Sequence, residues 1–553
     1  MDLKRLYQES ELGWALIGWY DFPGTSRVLI AGQYSAACVA LMQQIFQQVE
    51  FYECGRDYPA FAFDAVLVFG EMRSREECIS FLVQVSHGNW LQPHGVLLWA
   101  ADNRLGARFL CGDSRLDPQG NCYTRQEWQD IFQLAELTQP RFHYVMPDWH
   151  FPRNIYTDDY LPAENSLSRM DFIYVCPENI IRSEQDLVKD GIKNGIFPAI
   201  VNSFLMEWSR TITKDQQAMY VDLTADKGHK ASALICYMNR KVCKKPLFPK
   251  GSVAAIYKNG ERLRSHGIAV IAQKYQERCI WMPYIHAPLM SDVLFSKAKE
   301  SSAGFFSLLE QWWQYILRSS AIVAGKCDFP IDLPGECGPI LAKAYLDFIP
   351  SNCFFYQGKF LIFDQEYVCA NYPAKFVLYR GVIVLYGICP ELRKYIPLPA
   401  VIEKYGLAPL WQAFQYVDSE LFIKKLYFYT SCRREHQITY RVLLRNKRLL
   451  SQLSMVAFQD LFSDLGPKTL ILFGAGHWCE KFLQEYGNHC HPRYIVDNNV
   501  KLWNQQKYGL EIRSPEVLRS EKKGGIRVII CSQYHETMAS QLEQMGIKEY
   551  RVY

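Results

Sequence analysis

Three side chains in the stretch YLDFIPSNCFFYQGKFLIFDQEY, namely Asp347, Asn352 and Asp364, stand in or beside apolar runs. Burying an unpaired carboxylate is costly or forces a large pKa shift, so a core strand avoids such residues. They are either solvated at strand ends or they hold something charged. CFFY and KFLIF read as two strands joined by a Gln357-Gly358 turn. A hairpin of that kind fixes the separation between Asn352 at its start and Asp364 at its end. The apolar residues on both sides anchor the strands and leave the polar groups at the ends.

Two other stretches have the spacing of ligand-binding turns. RVLIAGQYSAACVALMQQIFQQVEFYECG reads as strand, turn, helix and strand, with Glu53 following Gly32 at about the 20-residue separation of a nucleotide-type fold. In such a fold the first turn meets the ligand and the acidic residue takes ribose hydroxyls. KTLILFGAGHWCEKFLQEYGNHCHPRYIVDNN repeats the pattern with Gly474, Gly476 and Asp497, and has Cys479 where a third glycine or alanine belongs. Glycines there let the backbone approach a phosphate at the helix N-terminus. The run His489-Cys490-His491 invites a metal reading. Adjacent residues rarely point at one ion, however, and a loop is expected.

The elements that must position these residues fall into several regions. A chain of 553 residues exceeds one ordinary core, and at roughly 100–200 residues per domain three or four domains are expected. Apolar content of 49% and charged content of 21% are those of a globular chain. The net charge of +4 gives no reason to expect nucleic acid as a partner. The opening MDLKRLYQESELGWALIGWYDF lacks the apolar core of a leader. No apolar run is long enough to predict a transmembrane segment. The eighteen cysteines lack CxxC pairing and read as reduced thiols of a cytoplasmic chain. Residues 1–165 alternate strand-like and helical runs, the pattern of a parallel α/β sheet. Residues 166–384 read as short strands followed by helices, residues 385–466 as a helical extension, and residues 467–553 as a small second α/β unit.

Each region resembles a known kind of domain. FDAVLVFGEM and LQPHGVLLWAADNRLG resemble the fourth and fifth strands of class I S-adenosylmethionine-dependent methyltransferases, which implies that Gly32 and Glu53 bind S-adenosylmethionine. That family's first turn is usually glycine-rich. Here it reads Gly32-Gln33-Tyr34-Ser35-Ala36, and side chains at 33 and 34 are expected to crowd the site. The middle region resembles the protein-kinase-like superfamily, especially its sugar- and lipopolysaccharide-type kinases. Asp347-Phe-Ile-Pro-Ser-Asn352 has the Asp-to-Asn spacing of the catalytic loop, and Asp364 follows after a strand pair. The resemblance implies ATP with magnesium. Asp347 would take or orient the acceptor hydroxyl's proton, Asn352 and Asp364 would hold Mg2+, and a strand lysine would neutralise phosphate charge. Lys244 fits a third strand better than the alternative Lys258, with Glu261 or Glu277 as its partner. IFPAIVNSFLMEW would be the first strand of that lobe, with Asn202 and Ser203 at the nucleotide loop, and CIWMPYIHAPLM would be the fifth strand and the adenine-receiving hinge. Arg380 would either hold the active loop or lie on a helix surface. The His-Arg before the catalytic Asp and the glycine-rich loop are both missing. The last region resembles small Rossmann-like domains of bacterial polysaccharide-biosynthesis proteins, which implies a nucleotide or nucleotide-sugar ligand for Gly474, Gly476 and Asp497.

The fold expected is thus multidomain: a methyltransferase-like α/β domain, a two-lobed α+β kinase-like domain with a helical extension, and a small Rossmann-like unit. The resemblances together imply a bacterial protein of cell-surface polysaccharide biosynthesis. It would act in the cytoplasm, or peripherally at the inner face of the membrane, on a glycan or activated sugar, beside other enzymes of that pathway. The leading expectation is phosphoryl transfer from a nucleoside triphosphate to a glycan or precursor hydroxyl. The alternatives are methyl transfer to a sugar or glycan, and a non-catalytic scaffold of degenerate enzyme folds.

Overall fold

The computed structural model describes residues 10–22, 26–70, 72, 74–114, 122–211, 217–325, 327–423 and 440–553. The chain divides into two compact units, Met1–Tyr440 and Arg441–Tyr553. It is a multidomain α/β protein built on one large mixed sheet.

That sheet belongs to the first unit. Its strands are β1 (Arg27–Gly32), β2 (Gln48–Phe51), β3 (Phe63–Phe69), β4 (Leu91–Asp102), β5 (Arg141–Met146), β6 (Asn154–Thr157), β7 (Ser203–Trp208), β8 (Ala218–Leu223), β9 (Ser232–Tyr237), β10 (Lys241–Pro246), β11 (Lys274–Gln276) and β12 (Cys279–Pro283). They lie in the order β11-β12-β10-β9-β8-β6-β5-β7-β4-β3-β1-β2. The four strands from β2 to β4 are parallel. Their apolar runs, such as FDAVLVF, are buried on both faces, as a parallel sheet between helical layers requires. The strands from β8 to β12 are antiparallel. The burial of β8 switches between buried and half-buried along its length, which suits a face that is only partly covered.

Strand β7 corrects one expectation. SFLMEW does not open the second lobe; it lies antiparallel between β4 and β5. All six of its residues are buried. A mostly apolar run states that a strand is interior but not which strands it pairs with. β8 pairs with β6, so the sheet runs unbroken past residue 165. The insertion between β5 and β7, residues 147–202, contributes β6, helix Glu184–Lys193 and short helical turns.

Below β12 the chain becomes mainly helical. Helices Met290–Glu300, Ser302–Arg318 and Ala374–Ile388 pack around Trp312, Phe348 and Tyr379. Between them run β13 (Ile322–Val323), β14 (Ile340–Tyr345), β15 (Cys353–Tyr356), β16 (Lys359–Ile362) and β17 (Val368–Pro373). β15 and β16 form the expected hairpin, with Gln357 and Gly358 both at positive φ in its turn. Of the expected helical extension, residues 398–404, 411–423 and 440–462 are helical, and residues 424–439 lie outside the described residues.

The second unit contains helix Tyr440–Phe462 and strands β18 (Thr469–Phe473), β19 (Ile495–Val496), β20 (Gln506–Lys507), β21 (Leu510–Arg513), β22 (Ile526–Ile530) and β23 (Tyr550–Val552), in the order β20-β21-β19-β18-β22-β23. Among the described residues no helix is long and apolar enough to cross a membrane.

Candidate functional site

A cleft of about 1060 Å³ separates β8–β10 and β12 from the helical part of the first unit. Lys244, Asp347, Asn352 and Asp364 all line it, as do the apolar side chains Val242, Met282, Phe354 and Phe363. Lys244 sits on β10, only 5% exposed, and its ammonium pairs with the Asp364 carboxylate. β14 delivers Asp347, a short helical turn Pro350–Asn352 follows, and the β15–β16 hairpin returns the chain to Asp364. Asp364 has φ of 55°. A non-glycine residue in that region is uncommon and is often held there for function.

The hydrogen bonds fix each group. Asn352 donates from Nδ2 to the backbone carbonyls of Asp347 (3.2 Å) and Asp364 (3.5 Å). Its Oδ1 takes no hydrogen bond among the described residues. Asp347 accepts from the backbone N–H groups of Glu366 and Tyr367 at 3.2 Å each, through one oxygen. Its other oxygen lies 3.7 Å from the Arg380 guanidinium. Arg380 is buried, donates to the Leu346 carbonyl, and bonds Asp418 at 2.8 Å. It therefore holds the loop that carries Asp347 rather than lying on a helix surface.

The two carboxylates are driven apart electrostatically. Burial raises the Asp347 pKa above its ordinary value, and Asp364 and Glu366 add to the rise, against the pull of Arg380 and Lys227. Burial also works against the Asp364 charge, but Lys244 and Lys227 outweigh it and the pKa falls below its ordinary value. A pair of titratable groups held at different protonation tendencies can divide the roles of base and permanent anion. The uncommitted Asn352 oxygen and the ionised Asp364 are hard donors of the kind Mg2+ takes. The residues present thus fit that ion.

Several expected partners lie elsewhere. Lys258 is exposed on helix Ala254–Ser265. Glu261 pairs with Arg264 on the same helix, and Glu277 lies in the β11–β12 turn. The residue of that helix that faces the site is Asn259, 4% exposed, which donates to the Gln365 carbonyl at 2.9 Å. Asn202 and Ser203 are buried in the first domain. Asn202 donates to the Pro147 carbonyl and Glu184, and Ser203 donates to Asp102. The loop that does overhang the cleft is 224–231, between β8 and β9, with Gly228 at φ 57° and ψ −130°. Its single glycine within TADKGHKA was the available signal, and the displaced first strand hid it.

In the first domain, Gly32 and the segment bearing Glu53 stand at the ends of the neighbouring parallel strands β1 and β2. Gly32 has φ of 95°, and a methyl group there would overlap the Phe69 carbonyl. Tyr34 packs its ring 4.1 Å from that of Phe69, and its hydroxyl reaches the Leu67 carbonyl at 3.4 Å. Ser35 caps helix Ala36–Ile45 and donates to the Ser10 carbonyl at 2.6 Å. The Glu53 side chain is 68% exposed, with Arg56 at 3.7 Å.

In the second unit, Gly474, Gly476 and Asp497 meet at the end of β18. Asp497 accepts from the backbone N–H of Ala475 and of Asn499, both at 2.7 Å, so its carboxylate already ties the turn. Cys479 is fully buried on the following helix. His489 and Cys490 lie in the turn after that helix. Among the described residues no three His, Cys, Asp or Glu side chains are grouped to hold a metal.

No family model matches the chain, and no curated protein matches it. Among solved structures it is similar to PigF with SAH, at 13% identity and a TM-score of 0.19, over 26% of this chain and 60% of that one. It is also similar to BH2331 of Bacillus halodurans C-125, a candidate methyltransferase, at 12% identity and a TM-score of 0.20, over 36% of this chain and 97% of that one. Likeness at these scores assigns no function to the chain.

Proposed function

We propose that the cleft is a protein-kinase-like phosphotransferase site, which moves the terminal phosphoryl of a nucleoside triphosphate to a hydroxyl of a glycan or its precursor. The observation that carries the reading is the meeting of Lys244, Asp347, Asn352 and Asp364 in one cleft. They arrive there on the elements such enzymes use: a loop between the first two strands, a lysine on the third, a helix after it, an Asp-x-x-x-x-Asn loop, and a second Asp after a hairpin. Lys244 would neutralise phosphate charge. Asn352 and Asp364 are the residues that would hold Mg2+, which when bound would supply further charge neutralisation. Asp347, fixed by two backbone N–H groups and Arg380, accepts the proton of the attacking hydroxyl. Val242, Met282, Phe354 and Phe363 give the base an apolar slot. The glycan acceptor, the role in surface polysaccharide synthesis, and action in the cytoplasm or at the inner membrane face follow from resemblance.

The test is calorimetry and turnover with Mg-ATP, Mg-GTP and Mg-CTP on the wild-type chain and on Asp364→Asn. Binding that needs both magnesium and Asp364 supports the reading. No nucleotide heat in the wild type rejects it.

A second reading is favoured by the parallel strands β2-β1-β3-β4 continued by the antiparallel β7: S-adenosylmethionine binding by the first domain at Gly32 and Glu53. Titration with S-adenosylhomocysteine tests it, and the position of Tyr34 speaks for a silent result. The turn Gly474–Gly476 is the corresponding place for a nucleotide-sugar in the second unit.

A further inference from the structure

We propose that Lys227, on the loop between β8 and β9, is a second phosphate-holding cation that reads the terminal phosphoryl of a bound triphosphate. The inference rests on the phosphotransferase reading of the cleft and adds to it a residue that the sequence pattern did not expose.

Lys227 lines the same cleft as Lys244, Asp347 and Asp364. Its ammonium lies 2.8 Å from the Glu366 carboxylate, two residues beyond Asp364, and both side chains are nearly buried, at 13% and 14% exposed. Lys227 and Lys230 also lie 5.4 Å and 5.0 Å from the centre of the Tyr367 ring. The loop above the cleft is thus latched to the segment that follows Asp364. A cation on the wall of the cleft that also holds Asp347 and Asp364 is placed to meet a phosphoryl bound between them. Lysine binds phosphate as a point charge and needs no fork geometry. When the triphosphate arrives, the ammonium exchanges Glu366 for a terminal phosphoryl oxygen and keeps its proton, and no covalent bond changes. A diphosphate has no group at that position.

The experiment is calorimetry of the full chain with Mg-ATP and Mg-ADP, for the wild type, Lys227→Met, Lys227→Arg and Glu366→Gln. Charge-assisted bonds of this kind support an expected loss of about tenfold in Mg-ATP affinity for Lys227→Met, with Mg-ADP changed less than about twofold. Lys227→Arg should restore most of the Mg-ATP affinity. Glu366→Gln should tighten Mg-ATP binding, because it removes the competitor for the ammonium. A merely structural latch would weaken binding in both Lys227→Met and Glu366→Gln. That result overturns the proposal, as does an equal loss of both nucleotides or no loss at all. Wild-type protein that binds Mg-ATP while Lys227→Met binds it equally sinks Lys227 alone. Wild-type protein that binds neither nucleotide sinks the cleft reading and this inference with it.

Discussion

The turn after β1 and the loop after β14 each hand the chain from a strand to polar residues, and they treat those residues in opposite ways. At the turn after β1 the protein is its own ligand. Gln33 donates to the Phe69 carbonyl, the Tyr34 hydroxyl reaches the Leu67 carbonyl, and Ser35 bonds both Cys38 and Ser10. At the loop after β14 the bonding stops short. Asn352 uses its amide N–H groups and leaves its oxygen over, and the Asp364 carboxylate keeps about a third of its surface open on the cleft. A charge taken out of water is costly unless it is paired, and Lys244 pairs with Asp364 while leaving part of that side chain open to the cleft. The comparison sets a cleft still open to a ligand at Asp347–Asp364 against a closed turn at Gly32.

The strongest way to break that contrast is Asp347→Asn. Loss of a positioned base lowers the rate by about 10²–10⁴-fold, so turnover of Mg-ATP should fall by that order. The melting temperature at pH 7 should not fall below that of the wild type. Asp347 has a folded pKa above its ordinary value. Turnover therefore declines as pH falls through that raised value, while Asp364, held below its ordinary value, stays ionised. Stability runs the other way. Between the ordinary and the raised pKa the folded chain holds a proton that the unfolded chain lacks, so stability decreases as pH rises through that window. A pH–rate profile flat on the acid side would remove Asp347 from the mechanism.

Much of this loop was legible in the sequence because its geometry is local. Asp347 and Asn352 are five residues apart, and the hairpin to Asp364 is set by its own apolar strands and its Gln357-Gly358 turn. The hairpin context of Lys244 after ALICYMNR reads locally as a third strand. What the sequence hid depends on long-range pairing. The strand SFLMEW reads alike at any interior place in the sheet, and placing it beside β9 rather than between β4 and β5 displaced the overhanging loop from 224–231 to Asn202. Asn259 was missed because an asparagine on a helix carries no signal until the helix is known to face Gln365. Tyr34 was legible as crowding, since a bulky residue stands where glycine is usual.

Arg380 tests the support beneath the cleft. It is 7% exposed and stands between Asp347 and Asp418. Removing one partner of a buried charge cluster costs roughly 3–5 kcal/mol. Arg380→Met should therefore lower stability by about that amount in a denaturant melt, and abolish turnover with it. A loss confined to turnover would show that Arg380 acts on the chemistry and not on the loop.

Gly32→Ala should cost about 2–3 kcal/mol, combining overlap with the Phe69 carbonyl and a backbone conformation unfavourable to alanine. If the turn is purely structural, that variant loses stability and no activity of the cleft. Cleft turnover that fell at temperatures where the variant remains folded would show that the shared sheet couples the two regions.

The smallest expected effect lies in the other unit, where the two glycines of one turn separate cleanly. Gly474 has φ of 103°, and a methyl group there would stand 2.8 Å from the Cys531 carbonyl oxygen. That glycine serves packing, as Gly32 does. Gly476 has a negative φ and open space around the position a Cβ would take. Gly476→Ala should therefore change stability by less than about 0.5 kcal/mol, the range of substitutions that disturb no packing. Any ligand that brings a phosphate against the start of helix His477–Tyr486 would meet the new methyl group. A panel of nucleotides and nucleotide-sugars, titrated into the wild type and Gly476→Ala, separates the outcomes. Affinity lost without a change in melting temperature marks this turn as open for a ligand, unlike the one at Gly32. Equal silence from both proteins places it with Gly32 as a turn kept for the fold.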